Sequence, residues 1–273
     1  MKTVFRIFIT LIFLVGLSVN VSAKNDEWEY KEWKVEEIGT FVRYTTHGSV
    51  IWGHQFGFLK RIEDCSLDNL WVSLSSSFDE VKEFEGEDAL LKLDIDGAVS
   101  EIKVQLSTVY KPELLSYHLM AFTNYVPEND FIDLLKKGHE LKLTVVEPKQ
   151  LVKYLDINDE VFSLNGFIAS RLKANEYCEK LTKRNIKSRS LTRSAMLYQQ
   201  QGNLDLAISE YKKAIDLYPE YGEAICNLGL VYAEQGKLEE AIKYYEKAVK
   251  LMPNDFRAYF NSMRLRLFRR KSL

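Results

Sequence analysis

Seven side chains bound the chemistry open to this chain: Cys65, Cys178 and Cys226, and His47, His54, His118 and His139. A zinc centre draws three or four ligands from such residues at characteristic spacing, and no HExxH motif or Cys/His run is present. His47 and His54 flank Gly48-Ser49-Val50-Ile51-Trp52-Gly53, with Glu63 and Asp64 just downstream. Two imidazoles and a carboxylate there would make a metal or acid–base site. The competing reading is a strand–turn–strand with surface histidines, since the third metal ligand is missing. A Ser/His/Asp triad need not be local in sequence. However, the chain has neither a GxSxG elbow nor a glycine-rich phosphate loop. The sequence therefore predicts no catalytic residue, no metal and no cofactor. An enzyme or ligand-binding site between His47 and Asp64 is the alternative.

Which thiols pair depends on the compartment, and the first residues bear on that. Lys2 and Arg6 precede an apolar stretch from Ile7 to Val19, and Val21-Ser22-Ala23 has the small residues of a cleavage site. Residues 1–23 thus read as a signal peptide, with an uncleaved anchor as the alternative, although the stretch is shorter than the roughly 20 residues a span needs. Export to a bacterial periplasm or cell envelope is the expectation. In an oxidising compartment an odd cysteine count leaves one thiol over. Cys65 and Cys178 bracket one domain and are expected to pair, with Cys226 left as a thiol. Without Lys2 and Arg6 the 37 basic residues become 35 against 39 acidic ones, a net charge of −4. That balance provides no field suited to nucleic acid.

Between 24 and 164 the apolar residues alternate. Leu70-Val72-Leu74, Leu91-Leu93-Ile95, Ile102-Val104-Leu106 and Leu141-Leu143-Val145 are each spaced by two, which predicts strands with one buried face. Asp96-Gly97 lies between two of them as a hairpin turn, because both residues tolerate positive φ. An antiparallel sandwich or open barrel follows. A helix is expected from Glu128 to Lys137, stopped by Gly138, and a connecting helix over 165–187. The basic, serine-containing stretch Thr182–Ser190 is expected as a linker. Val161-Phe162-Ser163-Leu164-Asn165-Gly166, ahead of a helix ending near Cys178, resembles small domains of bacterial envelope proteins. That resemblance implies an exported β domain with no assigned reaction.

The C-terminal third repeats itself. Gly202, Ala207, Tyr211, Ala214 and Pro219 recur as Gly236, Ala241, Tyr245, Ala248 and Pro253, each 34 residues on (236 − 202 = 34). Tyr198 and Tyr232 extend the match upstream. This period and the run from Asn227 to Gly236 resemble the tetratricopeptide-repeat family. The resemblance implies two helical hairpins, at 188–221 and 222–255, followed by a capping helix at 256–273. Two repeats are fewer than the roughly three such arrays usually need. The upstream domain, a partner or a second copy, as in a homo-oligomer, is expected to cover the open end.

In that family the concave face is lined by set positions of each first helix. Here these are Arg189, Thr192, Met196, Gln199 and Gln200; then Glu223, Cys226, Leu230, Ala233 and Glu234; then Arg257, Phe260 and Arg264. The family's carboxylate clamp would use five positions. Asn227 and Arg257 fit two of them, while Thr192, Met196 and Asn261 do not fit the rest. The resemblance therefore implies a protein or peptide partner held in a mixed groove, with Met196, Leu230 and Phe260 as its apolar contacts. The whole reads as an α+β chain, an exported and non-enzymatic protein mediating protein–protein contact in the cell envelope.

Overall fold

Alternating burial runs through the first part of the computed structural model, which describes residues 27–50, 54–110, 117–122, 129–253 and 255–271. The expected signal peptide lies outside the described residues. The chain divides into two units, residues 1–179 and 180–273. In the first, ten strands form one antiparallel sheet: β1 (Glu27–Tyr30), β2 (Trp33–Ile38), β3 (Phe41–His47), β4 (Gln55–Arg61), β5 (Asp64–Ser76), β6 (Asp88–Ile95), β7 (Ala98–Tyr110), β8 (Tyr117–Phe122), β9 (Glu140–Glu147) and β10 (Asp159–Ser163). Their order is β1-β2-β3-β4-β5-β8-β7-β6-β9-β10. The sheet curls until Gly48, just beyond β3, bridges Phe162 of β10. Its form is an open barrel within a single sheet.

The alternation in sequence accounts for the register. In β6 and β9 the inward residues Leu91, Leu93, Ile95, Leu141, Leu143 and Val145 are buried. The β6–β7 hairpin turns through Asp96 and Gly97, both at positive φ (49° and 95°). This is the mirror-image turn that suits the strand twist. The helix α1 (Asn129–Lys137) buries Phe131, Ile132 and Leu135 on one side. A single helical turn, α2 (Lys149–Val152), follows β9.

At the mouth of the barrel Trp33, Tyr44, Phe56, Phe58 and Phe162 form an aromatic core. Phe167, the first residue of α3 (Phe167–Gln200), plugs it, with ring centroids 5.3 Å from Trp33 and 5.8 Å from Phe58. One turn later Arg171 donates from Nε to Asp68 Oδ2 at 2.8 Å. Asp68 also accepts from the Tyr44 hydroxyl (2.7 Å) and pairs with Lys60 Nζ (2.5 Å), which in turn donates to the Cys65 carbonyl (3.0 Å). Lys60 is fully buried, a cost borne only because every charge there has a bonded partner. Cys178, seven residues after Arg171 and so on the same helix face, is joined to Cys65 by a disulfide.

Helix α3 runs without a break from Phe167 to Gln200, so Thr182–Ser190 is helix rather than linker. The basic and serine residues suggested a tether, but no Gly or Pro lies between 167 and 200 to interrupt the hydrogen bonding. The second unit comprises the end of α3, then α4 (Leu204–Leu217), α5 (Gly222–Glu234), α6 (Leu238–Leu251) and α7 (Phe256–Lys271).

Candidate partner-binding groove

The helices of the second unit form hairpins because their turns require it. Gly202 and Gly236 sit at φ 79° and 76°, and beyond each the chain closes back on the helix it leaves: Asn203 N–H to the Tyr198 carbonyl, Lys237 N–H to that of Tyr232, both at 2.9 Å. This is the glycine-dependent helix end that a Cβ would strain. Ala195 and Ala207, then Gly229 and Ala241, let each pair of helices approach, while Tyr211 and Tyr245 fill the space between them. All of them except Gly229 are apolar members of one buried cluster with Leu228, Val231 and Ala258. A Cβ at Gly229 would stand 3.0 Å from the Tyr245 ring. The hairpins α3–α4 and α5–α6 thus repeat one plan, and α7 packs after them as a half-unit.

The candidate residues on α3, α5 and α7 meet in two polar rows. In one, Tyr221 donates to Glu223 Oε2 at 2.9 Å. Burial, then Glu223, pushes its phenol up to about 12, with Arg189 opposing. Arg257 of α7 is held by Asp255 at 2.7 Å. In the other row Gln199 accepts from the Tyr211 hydroxyl (3.2 Å) and donates to Glu234 Oε1 (2.8 Å), crossing from α3 to α5. Tyr245 is likewise raised to about 12, first by burial; Glu234 adds to the rise while Arg264 and Asn261 oppose it. Among the apolar positions, Met196 and Phe260 are exposed and Leu230 is half-buried against the cluster.

Two expected lining residues are not surface at all. Thr192 is 2% exposed, and Cys226 is buried with its thiol pushed up to about 11 by burial first. Both stand on the side of their helix that packs inward. Cys226 remains a thiol outside the disulfide.

The alternative site between His47 and Asp64 is not assembled. His54 precedes β4 and Asp64 follows it, so the seven-residue strand separates them by about 23 Å at its usual rise. Asp64 instead caps its own turn through Ser66. His47 is on the exposed side, 3.4 Å from Gln55 Nε2. His54 is buried beside Glu160 of β10, with Nδ1 3.6 Å from Oε2. Burial holds its pKa below the ordinary value, against the pull of Glu160. The signal for that pairing was Glu160 itself, a carboxylate at an inward strand position two before Phe162. Among the described residues no group of three His, Cys, Asp or Glu is placed to hold a metal ion.

Residues 186–254 match the model of the tetratricopeptide repeat. The C-terminal part of the chain is therefore a tetratricopeptide-repeat array, and repeats of this class support a role in protein–protein interaction. Among solved structures, the chain is similar to the first TPR of Spaghetti (RPAP3) bound to HSP90 peptide SRMEEVD, at 25% identity and a TM-score of 0.30, covering 38% of this chain and 83% of that one. No curated protein matches the chain.

Proposed function

We propose that this is an exported protein that captures a segment of a protein partner on the concave face of its repeats and carries out no reaction of its own. The observation that carries this reading is the exposure of Met196 on α3 and Phe260 on α7, with Leu230 of α5 half-buried, together with the polar contacts Gln199–Glu234 and Tyr221–Glu223 at other expected lining positions. Apolar contacts in the middle of such a face supply most of an affinity, and the flanking charges orient the ligand. Met196 adds the adaptability of an unbranched thioether. Three of the five clamp positions carry Thr192, Met196 and Asn261, so the ligand's grip does not come from a carboxylate clamp.

Export to a bacterial periplasm or envelope is supported by the composition of residues 1–23 and by the Cys65–Cys178 bond, which suits an oxidising compartment. Protein recovered from its native host should have the mass of a chain beginning at Lys24.

The binding test is the pair Met196→Glu and Phe260→Glu, chosen because both side chains are exposed; Leu230 also packs on the core, and replacing it would loosen the repeat. Capture from envelope extract should lose a partner that the unaltered chain retains, with helical content unchanged. An identical set of captured proteins would refute the concave face as the binding surface.

A further inference from the structure

The barrel closes at Gly48, and a buried carboxylate holds that closure. Glu160 of β10 is 1% exposed. Its Oε1 accepts from the Val50 N–H at 3.0 Å and from the Val161 N–H at 2.9 Å. Ser49 N–H reaches across to the Val161 carbonyl at 2.9 Å, and Gly48 N–H turns back to the His54 carbonyl at 3.0 Å. A Cβ at Gly48 would stand 2.4 Å from the Glu160 carboxylate, so only glycine lets the two segments meet over it. Phe162, the residue bridged to Gly48, packs its ring on Phe56 with centroids 5.7 Å apart.

The other oxygen of Glu160 faces a second titratable group. His54 is also 1% exposed, and its Nδ1 is 3.6 Å from Oε2, beyond hydrogen-bond range. Neither ring nitrogen makes a hydrogen bond within the described residues. The charges felt at this ring are Glu160 of β10 and Asp156 in the turn before it. With the Ser75 backbone of β5 they favour the protonated ring, but burial outweighs them. The chain leaving β3 contributes Gly48, which does not titrate. His47, one residue earlier, stands instead under the influence of Lys34, Arg43, Glu29 and Glu36.

We infer that His54 and Glu160 form an acid-released latch: protonation of His54 opens the barrel along Gly48–Val50 while the remaining strands stay paired. A charge on the buried ring is accommodated in two ways. Glu160 can turn toward the imidazolium, and the N–H groups of Val50 and Val161 then lose their acceptor. Alternatively the ring moves out to water, and the bond from Gly48 N–H to the His54 carbonyl goes with it. Either route separates Gly48–Val50 from β10. His54 binds its proton less readily in the closed barrel than in the open one, so closure is complete above the ordinary histidine value of 6.5 and weakens as pH falls below it. Between pH 7.5 and 5.5 this favours the open form by a factor of about ten at most.

The test is amide hydrogen exchange of the full chain, read by NMR and corrected for the intrinsic effect of pH. From pH 7.5 to 5.5 the protection of Ser49 and Val161 should fall about three- to tenfold, while amides in the β6–β7 pairing keep theirs. His54→Gln should make Ser49 and Val161 insensitive to pH over that range. Glu160→Gln retains a side-chain oxygen for Val50 and Val161 and should keep the fall, which separates titration of His54 from titration of the carboxylate. Gly48→Ala should lower the protection of both residues already at pH 7.5, since its Cβ displaces Glu160. Unchanged protection of Ser49 and Val161 in the unaltered chain overturns the inference. So does an equal fall in the β6–β7 amides, because the whole sheet would then be opening. A fall that survives in His54→Gln and vanishes in Glu160→Gln overturns it as well, by making the carboxylate the sensor.

Discussion

Removing the Cys65–Cys178 bond should destabilise the first unit selectively. The bond closes a loop of 113 residues in sequence. On the chain-entropy relation, such a loop deprives the unfolded ensemble of about 16 cal/mol/K, or about 5 kcal/mol at 25 °C. The native contacts of the same helix, Phe167 in the aromatic core and Arg171 on Asp68, do not offset this, because they too are absent once the unit unfolds. For a unit of this size about 5 kcal/mol corresponds to a fall in Tm of about 10–20 °C. The four tryptophans, Trp28, Trp33, Trp52 and Trp71, all lie in the first unit. Tryptophan fluorescence therefore follows that unit, while far-UV circular dichroism at 222 nm is weighted toward the helices of the second. Cys178→Ala should lower the fluorescence midpoint by that amount and leave most of the helical transition in place. Alkylation of the unfolded, unreduced chain should label Cys226 alone. A fluorescence shift below about 2 °C would refute the entropic reasoning, and labelling of all three thiols would remove its premise.

Gly236→Ala should cost about 1 kcal/mol in the helical melt, because its φ of 76° strains any side chain. Gly229→Ala should stay within about 1 kcal/mol of zero, since the gain in helix propensity opposes a 3.0 Å contact with Tyr245 and the first repeat carries Ala195 at the same place; Gly229→Leu should cost about 3 kcal/mol. Asp68→Ala should cost about 3–5 kcal/mol in the tryptophan transition by stranding buried Lys60, and Lys60→Met combined with Asp68→Leu should recover most of it. His54 binds its proton less readily folded than unfolded, so its contribution is present above the unfolded value near 6.5 and is lost as pH falls through it. The urea midpoint should therefore drop between pH 7.5 and 5.5, and His54→Gln should flatten that part of the profile.

The repeats were legible because their constraints are local. Gly236 is needed at one turn, Ala241 and Ala248 at one helix contact, and Pro253 at one stop, so identity alone marks the place. The strands were legible where one face is apolar and the other wet, as in β6 and β9. The buried charges were not, since Lys60, Asp68 and Arg171 look like surface residues until β4, β5 and α3 bring them together over 111 residues of chain (171 − 60). Thr192 misled for a related reason: its position in the repeat indicated a facing, while burial depends on which neighbours pack there. The helix through Thr182–Ser190 was hidden by composition, because basic and hydroxyl residues suit both a tether and a solvated helix face.

The bridge at Gly48 also bears on how these molecules behave when crowded. A sheet that ends in an open strand offers its backbone to the next molecule's sheet. On β10 the offer is withdrawn: the Val161 N–H donates to the Glu160 carboxylate at 2.9 Å, its carbonyl accepts from Ser49 N–H at 2.9 Å, and the Ser163 carbonyl accepts from the Trp33 indole at 3.1 Å. At the other end, β1 is four residues long and carries Glu27 and Glu29. Like charges and brevity discourage strand-to-strand growth there, so Glu160 and Gly48 help to keep the sheet's edges from pairing with those of another molecule.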